Sequence, residues 1–363
     1  MPDHPRRMPR LREAVIVLAL VLVAVEVVAG RAYLGRAVRA LGRAEPAWIL
    51  LAVAAAVASM AQAARTQRRM LSATGTHVPI RSMLRLAFEA NAINTTLPGG
   101  TAFSVAYAAN RLRRFGATAA GAGFSLLASG LLSGLTFWLL ALGYATVADG
   151  GSIVPLVLVA VALAVLATVA WRRPGSIGRL APRAARGVAA VVERRRPGRL
   201  AGALRSFAGD LDAVHPRGRD WAVGTAFATL NWLTDLGCLL ICYVAVSGHR
   251  PAVLVAVAAY LAGMTVSSIS VLPGGFGVIE VAMIVTFTAG GVDADDAGAA
   301  VLLYRLVSCV FVVAIGWAIW LGGRLARGTR QERDVVTGEF APVDQPVQVG
   351  GATVPGVRET LTL

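Results

Sequence analysis

The chain is poor in the residues that build disulfide frameworks, metal sites and histidine-based catalytic centres. It has three cysteines and four histidines among 363 residues. Cys238 and Cys242 lie four positions apart in an apolar run, where cysteine behaves as a small hydrophobic residue. No zinc-type spacing is present, and the histidines lie in basic or turn-like flanks. We therefore predict no metal site, no cofactor and no catalytic residue.

Charged residues are also scarce, at 15% against about 25% in soluble domains. Hydrophobic residues make up 56%, and the mean hydropathy is +0.65. Several apolar runs exceed ~18 residues, which is long enough to cross a bilayer. Lipid permits only helices or closed barrels, and these runs are too continuous for alternating strands. The composition predicts an all-α, polytopic integral membrane protein.

Acidic residues are outnumbered, 20 against 35 basic ones, which gives a net charge of +15. The arginines that supply this charge cluster between the apolar runs, as they do in cytoplasmic loops of membrane proteins. We therefore expect no nucleic acid as a partner.

One motif occurs twice, 175 positions apart. Leu97-Pro98-Gly99-Gly100 and Leu272-Pro273-Gly274-Gly275 each interrupt a long apolar run. Proline removes an amide donor, and a glycine pair costs a helix about 2 kcal/mol relative to alanine. The repeat indicates an internal duplication with a broken helix in each half.

We predict about six spanning helices plus two re-entrant hairpins. The segment 1–12 is predicted to be disordered, 13–322 to form the membrane domain, and 323–363 to be a disordered tail. Within the membrane domain, 172–220 is predicted to be a basic cytoplasmic loop. The predicted spans are 14–30, 47–64, 117–144, 153–171, 221–246 and 299–321.

Each broken segment is either one kinked span or a re-entrant hairpin. Hairpins place both termini, the 172–220 loop and the arginines flanking the first motif in the cytoplasm, which satisfies the positive-inside rule. The basic 31–46 connector is the exception. Because three spans separate the hairpins, the two copies enter from opposite faces, and we predict an inverted repeat.

The residues around the second motif resemble a known family. The second motif continues as Pro273-Gly274-Gly275-Phe276-Gly277-Val278-Ile279-Glu280, with Asn94 before the first motif and Arg305 after the second. This pattern is similar to the transmembrane region of lysylphosphatidylglycerol synthases, a flippase-like domain. The resemblance covers roughly 14–322. It departs from the family at Thr101, where an acidic residue is common. After Leu321 only a short tail remains, so we expect no aminoacyl transfer.

The resemblance implies that the chain moves a lipid between leaflets of the inner, or plasma, membrane, such as an aminoacylated phosphatidylglycerol or a lipid-linked glycan. Helices that restart after Pro-Gly-Gly present amides and a positive dipole end, which suits a lipid phosphate. The alternative is that the motif only turns the hairpin. The candidate substrate-binding residues are Asn94, Pro98, Gly99, Gly100, Pro273, Gly274, Gly275, Glu280 and Arg305.

Glu280 and Arg305 each cost about 2.5–3.5 kcal/mol at the centre of a membrane helix. Their counterparts 175 residues earlier, Val105 and Gly130, are uncharged. Since both charges occur in one repeat and are missing from the other, we predict that they pair. Two roles of this pair remain open. It is either a structural salt bridge or a group that takes part in headgroup binding or gating. Asp235, also within a span, is either a packed, hydrogen-bonded carboxylate or a proton-coupling group.

The predicted function is that of a flippase-like lipid translocase, not an enzyme. One alternative is an integral-membrane enzyme acting on lipid phosphates. Such chemistry needs histidine, aspartate or arginine clustered at one interface, and the sequence contains no such cluster. The other alternative is a non-transporting accessory subunit that associates with envelope-biosynthesis enzymes.

Overall fold

The computed structural model describes Gly42, residues 45–148, 216–269 and 273–337, and two short strands. Apart from the two strands, which lie in the C-terminal tail, this part of the chain is helical, which confirms the all-α prediction. The helices are α1 Pro46–Ser72, α2 Ile80–Thr96, α3 Gly100–Arg114, α4 Ala119–Ala148, α5 Gly218–Ser247, α6 Val253–Ile269, α7 Val278–Ala289, α8 Ala294–Arg305 and α9 Val312–Thr337. A 3₁₀ turn occupies Pro273–Gly275, and a π-helical segment, Leu306–Phe311, joins α8 to α9.

Four helices are long and apolar enough to cross a membrane. They are α1, α4, α5 and the continuous helix Ala294–Leu325 that contains α8 and the start of α9. The chain is thus a multi-pass membrane protein. The other two predicted spans, 14–30 and 153–171, lie outside the described residues, as do the 1–12 segment and most of the 172–220 loop.

Residues 318–363 form a separate unit. It contains the end of α9, which continues to Thr337 and so passes the boundary at 322 that the sequence predicts. Strand β1, Gln348–Val349, pairs antiparallel with β2, Ala352–Thr353.

The first broken segment is a hairpin, as predicted. Helices α2 and α3 run antiparallel on either side of the break, and Gly99 turns the chain with a φ of 68°. The hydroxyl of Tyr107 in α3 donates to the Glu89 carboxylate in α2 across 2.6 Å. Met83 and Leu112, near the open end, are fully buried in one apolar cluster. These contacts exclude a single kinked span.

The second broken segment repeats this arrangement in the same register. A Cβ atom on Gly263 of α6 would meet Met283 of α7, and one on Gly290 would meet Val255. Subtracting the 175-residue period from these residue numbers gives the equivalent pairs of the first hairpin, which are 88 with 108 and 80 with 115. Ile80 and Phe115 pack against the same cluster of the first hairpin. The duplicated sequence thus folds into duplicated hairpins.

Helix α5 shows that the two hairpins open at opposite ends of the molecule. Near its start, Asp220 pairs with Arg69 of α1 across 2.6 Å, beside the chain entering the first hairpin. Just beyond its end, the His249 Nε2 atom lies 3.6 Å from an Asp296 oxygen, beside the second hairpin's open end. Thirty residues of helix separate these ends by about 45 Å. The hairpins are therefore inverted. Arginines cluster at the open end of the first hairpin, and aspartates cluster beside the open end of the second.

This geometry makes a topology experiment decisive. In a variant whose three buried cysteines are replaced by alanine, we introduce Arg113→Cys or Asp295→Cys. Because the residues lie at opposite ends of the helices, a membrane-impermeant thiol reagent is expected to label each from a different side, Arg113→Cys from the cytoplasm. Labelling of both from one side would contradict the inverted arrangement.

A second prediction concerns the close approach of α9 to α2. A Cβ atom on Gly316 would lie 2.3 Å from the Phe88 carbonyl oxygen, whereas one on Gly134 in α4 meets nothing within 4 Å. Gly316→Ala is therefore expected to destabilise the fold by about 1–3 kcal/mol. The control Gly134→Ala is expected to be neutral or to stabilise by up to ~1 kcal/mol. Thermal unfolding in detergent measures both, and equal midpoints would refute the close packing.

Candidate functional site

The tips of the two inverted hairpins meet at one polar cavity of about 450 Å³. Six of the nine predicted site residues line it, namely Asn94, Gly99, Gly100, Gly274, Gly275 and Arg305. Pro98 and Pro273 lie within the breaks, and Glu280 contacts Arg305 from outside the cavity wall. The rest of the described wall consists of Asn91, Thr95, Leu97, Thr101, Asp235, Met264, Ser267, Tyr304, Ser308 and Cys309.

The first tip is held by neutral groups. A Cβ atom on Gly100 would lie 2.2 Å from the Asn94 carbonyl oxygen, so this position requires glycine. The Thr101 hydroxyl donates to the Asn94 side-chain oxygen across 3.0 Å, and the Gly100 amide donates to the Leu97 carbonyl across 2.8 Å. Asn94 thereby joins α2 to the start of α3.

The second tip is held by an ion pair. The Arg305 Nε atom donates to a Glu280 oxygen across 2.7 Å, and the other Glu280 oxygen accepts from the Gly277 amide across 2.6 Å. A second Arg305 nitrogen donates to the Gly274 carbonyl, and the guanidinium lies 5.1 Å from the centre of the Phe276 ring. Only 5% of Glu280 and 6% of Arg305 are exposed. The predicted pairing is confirmed, and it ties the tip to α8.

One amide at each break is already paired within the protein. The Gly277 amide is occupied by the Glu280 carboxylate, which is the half of a capping box that a glycine N-cap without a side chain allows. The Gly100 amide is occupied by a backbone carbonyl. A buried amide without an acceptor is costly, so the folded chain supplies one from its nearest neighbours. Among the described residues of the cavity wall, Arg305 is the one with a cationic side chain.

Asp235 of α5 supplies the opposite charge. One of its oxygens accepts hydrogen bonds from the hydroxyls of both Tyr260, across 2.8 Å, and Tyr304, across 2.9 Å. The tyrosines belong to α6 and α8. Their sequence spacing from Asp235 follows no helical period, so it does not predict the contact. The hydrogen-bonded carboxylate that the sequence offered as one alternative is therefore present, with partners that it did not identify.

The π-helical segment was also not predicted. It begins directly after Arg305, and its residues Ser308 and Cys309 line the cavity. Such segments insert an extra residue into a helix and are frequent at functional sites. Its residues are mostly apolar and have no feature that marks a π-helix, so the sequence did not predict it.

A second buried acid stabilises the first hairpin away from the cavity. Glu89, 4% exposed, accepts from Tyr107 and lies 3.3 Å from an Arg111 nitrogen. The position 175 residues after Glu89 is Met264, so this pair has no counterpart in the second hairpin. The two repeats thus share a backbone arrangement but place their buried charges differently.

The described cavity wall is suited to binding a polar group. Its charged side chains are Asp235 and Arg305, and amides and hydroxyls surround them. Within the described ranges, no three histidine, cysteine or acidic side chains lie together in a way that could hold a metal ion.

A comparison with curated proteins finds no match to this chain. The family model for the lysylphosphatidylglycerol synthase TM region matches residues 13–316 of the 363. That range includes every helix that lines the cavity and both Pro-Gly-Gly breaks. The chain therefore belongs to the lysylphosphatidylglycerol synthase TM region family.

Proposed function

We propose that the chain is a lipid translocase that binds the headgroup of an anionic phospholipid or a lipid-linked glycan in the cavity and moves it between leaflets. One observation carries the proposal. A single polar cavity is walled by the tips of two hairpins that open towards opposite ends of the membrane helices. Small movements of either hairpin would open the same site to one face or the other.

Arg305 is the residue that we assign to the lipid phosphate. Charge-assisted hydrogen bonds from a guanidinium to a phosphate are strong and geometrically specific. The neighbouring neutral groups, Asn91, Asn94 and Ser267, provide further hydrogen-bonding side chains on the wall. Glu280 positions Arg305, since it holds the Nε atom from outside the cavity.

The proposal places the protein in the plasma membrane, which is the inner membrane where there are two, with both termini in the cytoplasm. Its partners are membrane lipids, with envelope-biosynthesis enzymes as further candidates. A binding role is favoured over an enzymatic one because the described wall has one carboxylate and no histidine. Hydrolysis of a lipid phosphate normally needs a general acid and base beside a nucleophile.

Reconstituted vesicles test the proposal. Phosphatidylglycerol with a fluorescent headgroup is expected to become accessible to a membrane-impermeant quencher faster in vesicles containing the protein than in protein-free vesicles. The physical reason is that polar groups of the cavity take the place of the water around the headgroup, which lowers the cost of moving it through the middle of the membrane. A lipid-linked glycan is assayed in parallel. Unchanged leaflet distribution for every phospholipid and polyprenyl carrier would favour the accessory-subunit alternative.

The ion pair gives a sharper test of the assigned residues. Arg305→Met leaves Glu280 buried without its partner and is expected to reduce stability by about 3–5 kcal/mol. The double variant Glu280→Gln/Arg305→Met removes both charges, so it is expected to recover much of the folded protein but not lipid movement. Folded yield is measured by size exclusion in detergent, and transport in vesicles.

The double variant also separates the two possible roles of the pair. Transport at the wild-type rate by a well-folded double variant would show that the pair only stabilises the second tip. Loss of transport at a wild-type folded yield would support the assignment of Arg305 to the headgroup.

A further inference from the structure

We infer that Asp235 binds a proton and thereby controls the affinity of the cavity for an anionic headgroup. This inference rests on the proposed function, since it names the regulation of the same site. Lipid binding is thereby coupled to the pH on the side of the membrane to which the cavity is open.

The hydrogen bonds of Asp235 leave one oxygen for the proton. Tyr260 and Tyr304 both donate to Oδ2, and no hydrogen bond between described residues involves Oδ1. Since Asp235 lines the cavity, a proton from cavity water can add to Oδ1 and convert the carboxylate to a carboxylic acid. Both tyrosine contacts are retained in this step, and deprotonation returns the proton to water.

Among the described residues, few other charged groups lie near Asp235. Its own helix contributes the Cys238 thiol, α6 contributes Tyr260, and α8 contributes Tyr304 and Arg305. Helix α7 contributes Glu280 through its contact with Arg305. The α1 side of α5 is neutral near this level, where Ser59 bonds to Asn231 and the Ala52 carbonyl accepts from Cys238.

Protonation therefore changes the charge balance of the site. Thiols and phenols are neutral near neutral pH. The three remaining groups, Asp235, Glu280 and Arg305, then sum to one negative charge when Asp235 is ionised and to zero when it is protonated. Removing a negative charge from the wall favours an anion in the cavity, and by linkage a bound anion favours the proton. The headgroup and the proton are thus expected to enter together and leave together.

The experiment measures binding of a soluble, short-chain fluorescent phosphatidylglycerol to the detergent-solubilised full chain at about pH 4 and about pH 8, of which the lower lies near the ordinary pKa of an aspartate carboxyl group. Wild-type protein is expected to bind about tenfold more tightly at the lower pH, as one unit charge removed from the wall implies. Asp235→Asn is expected to bind tightly at both pH values. The matched control Asp295→Asn, which removes an exposed carboxylate distant from the cavity, is expected to keep the wild-type pH dependence.

Infrared difference spectroscopy supplies a direct readout of the proton. A protonated-carboxyl band that rises as the pH falls and is missing in Asp235→Asn supports the inference. Lipid binding without pH dependence, or a pH dependence that persists in Asp235→Asn, overturns the inference and leaves the proposed function standing. No binding by wild-type protein at either pH overturns both.

Discussion

The structure depends on one constraint, which is that backbone broken inside a membrane must find its hydrogen bonds within the protein. Lipid offers no donors or acceptors, so each unsatisfied peptide group costs several kcal/mol. Both Pro-Gly-Gly breaks meet this constraint, but by different means. The first is closed by backbone bonds, from the Gly100 amide to the Leu97 carbonyl and from the Ala102 amide to the Gly99 carbonyl. The second uses a buried glutamate–arginine pair, which accepts from the Gly277 amide, donates to the Gly274 carbonyl and reaches the adjacent helix.

This difference makes the shared cavity asymmetric although the hairpins that form it are repeats. The first tip contributes neutral polar groups, α8 contributes Arg305 beside the second tip, and the spanning helix α5 contributes Asp235. Arg305 has two functions in this account. It stabilises the second tip through Glu280 and the Gly274 carbonyl, and it provides the positive charge of the cavity. Because one residue has both roles, the structure of the second tip and the positive charge of the cavity depend on the same side chain.

Much of this architecture was predictable because duplication leaves a visible period. The repeated motif predicted two hairpins, the number of intervening spans predicted their inversion, and the isolated charges of one repeat predicted the Glu280–Arg305 pair. The predicted helix ends differ from those observed by a few residues, because apolar composition does not mark where a helix stops. α1, for example, continues to Ser72 through a polar, arginine-containing stretch.

The details of the site were not predictable because they arise from tertiary contacts. The convergence of Tyr260 and Tyr304 on Asp235 joins three helices at spacings that follow no periodicity. The occupation of the Gly277 amide by Glu280 depends on the conformation of the tip, and the π-helical segment has no characteristic composition.

The central claim, that one cavity faces each side of the membrane in turn, is tested most directly by thiol accessibility at its wall. A cysteine in place of Thr101 in a cysteine-free variant is expected to react with an impermeant reagent from either face and to be protected by added phosphatidylglycerol. Reaction from one face only, whatever lipid is present, would contradict the account.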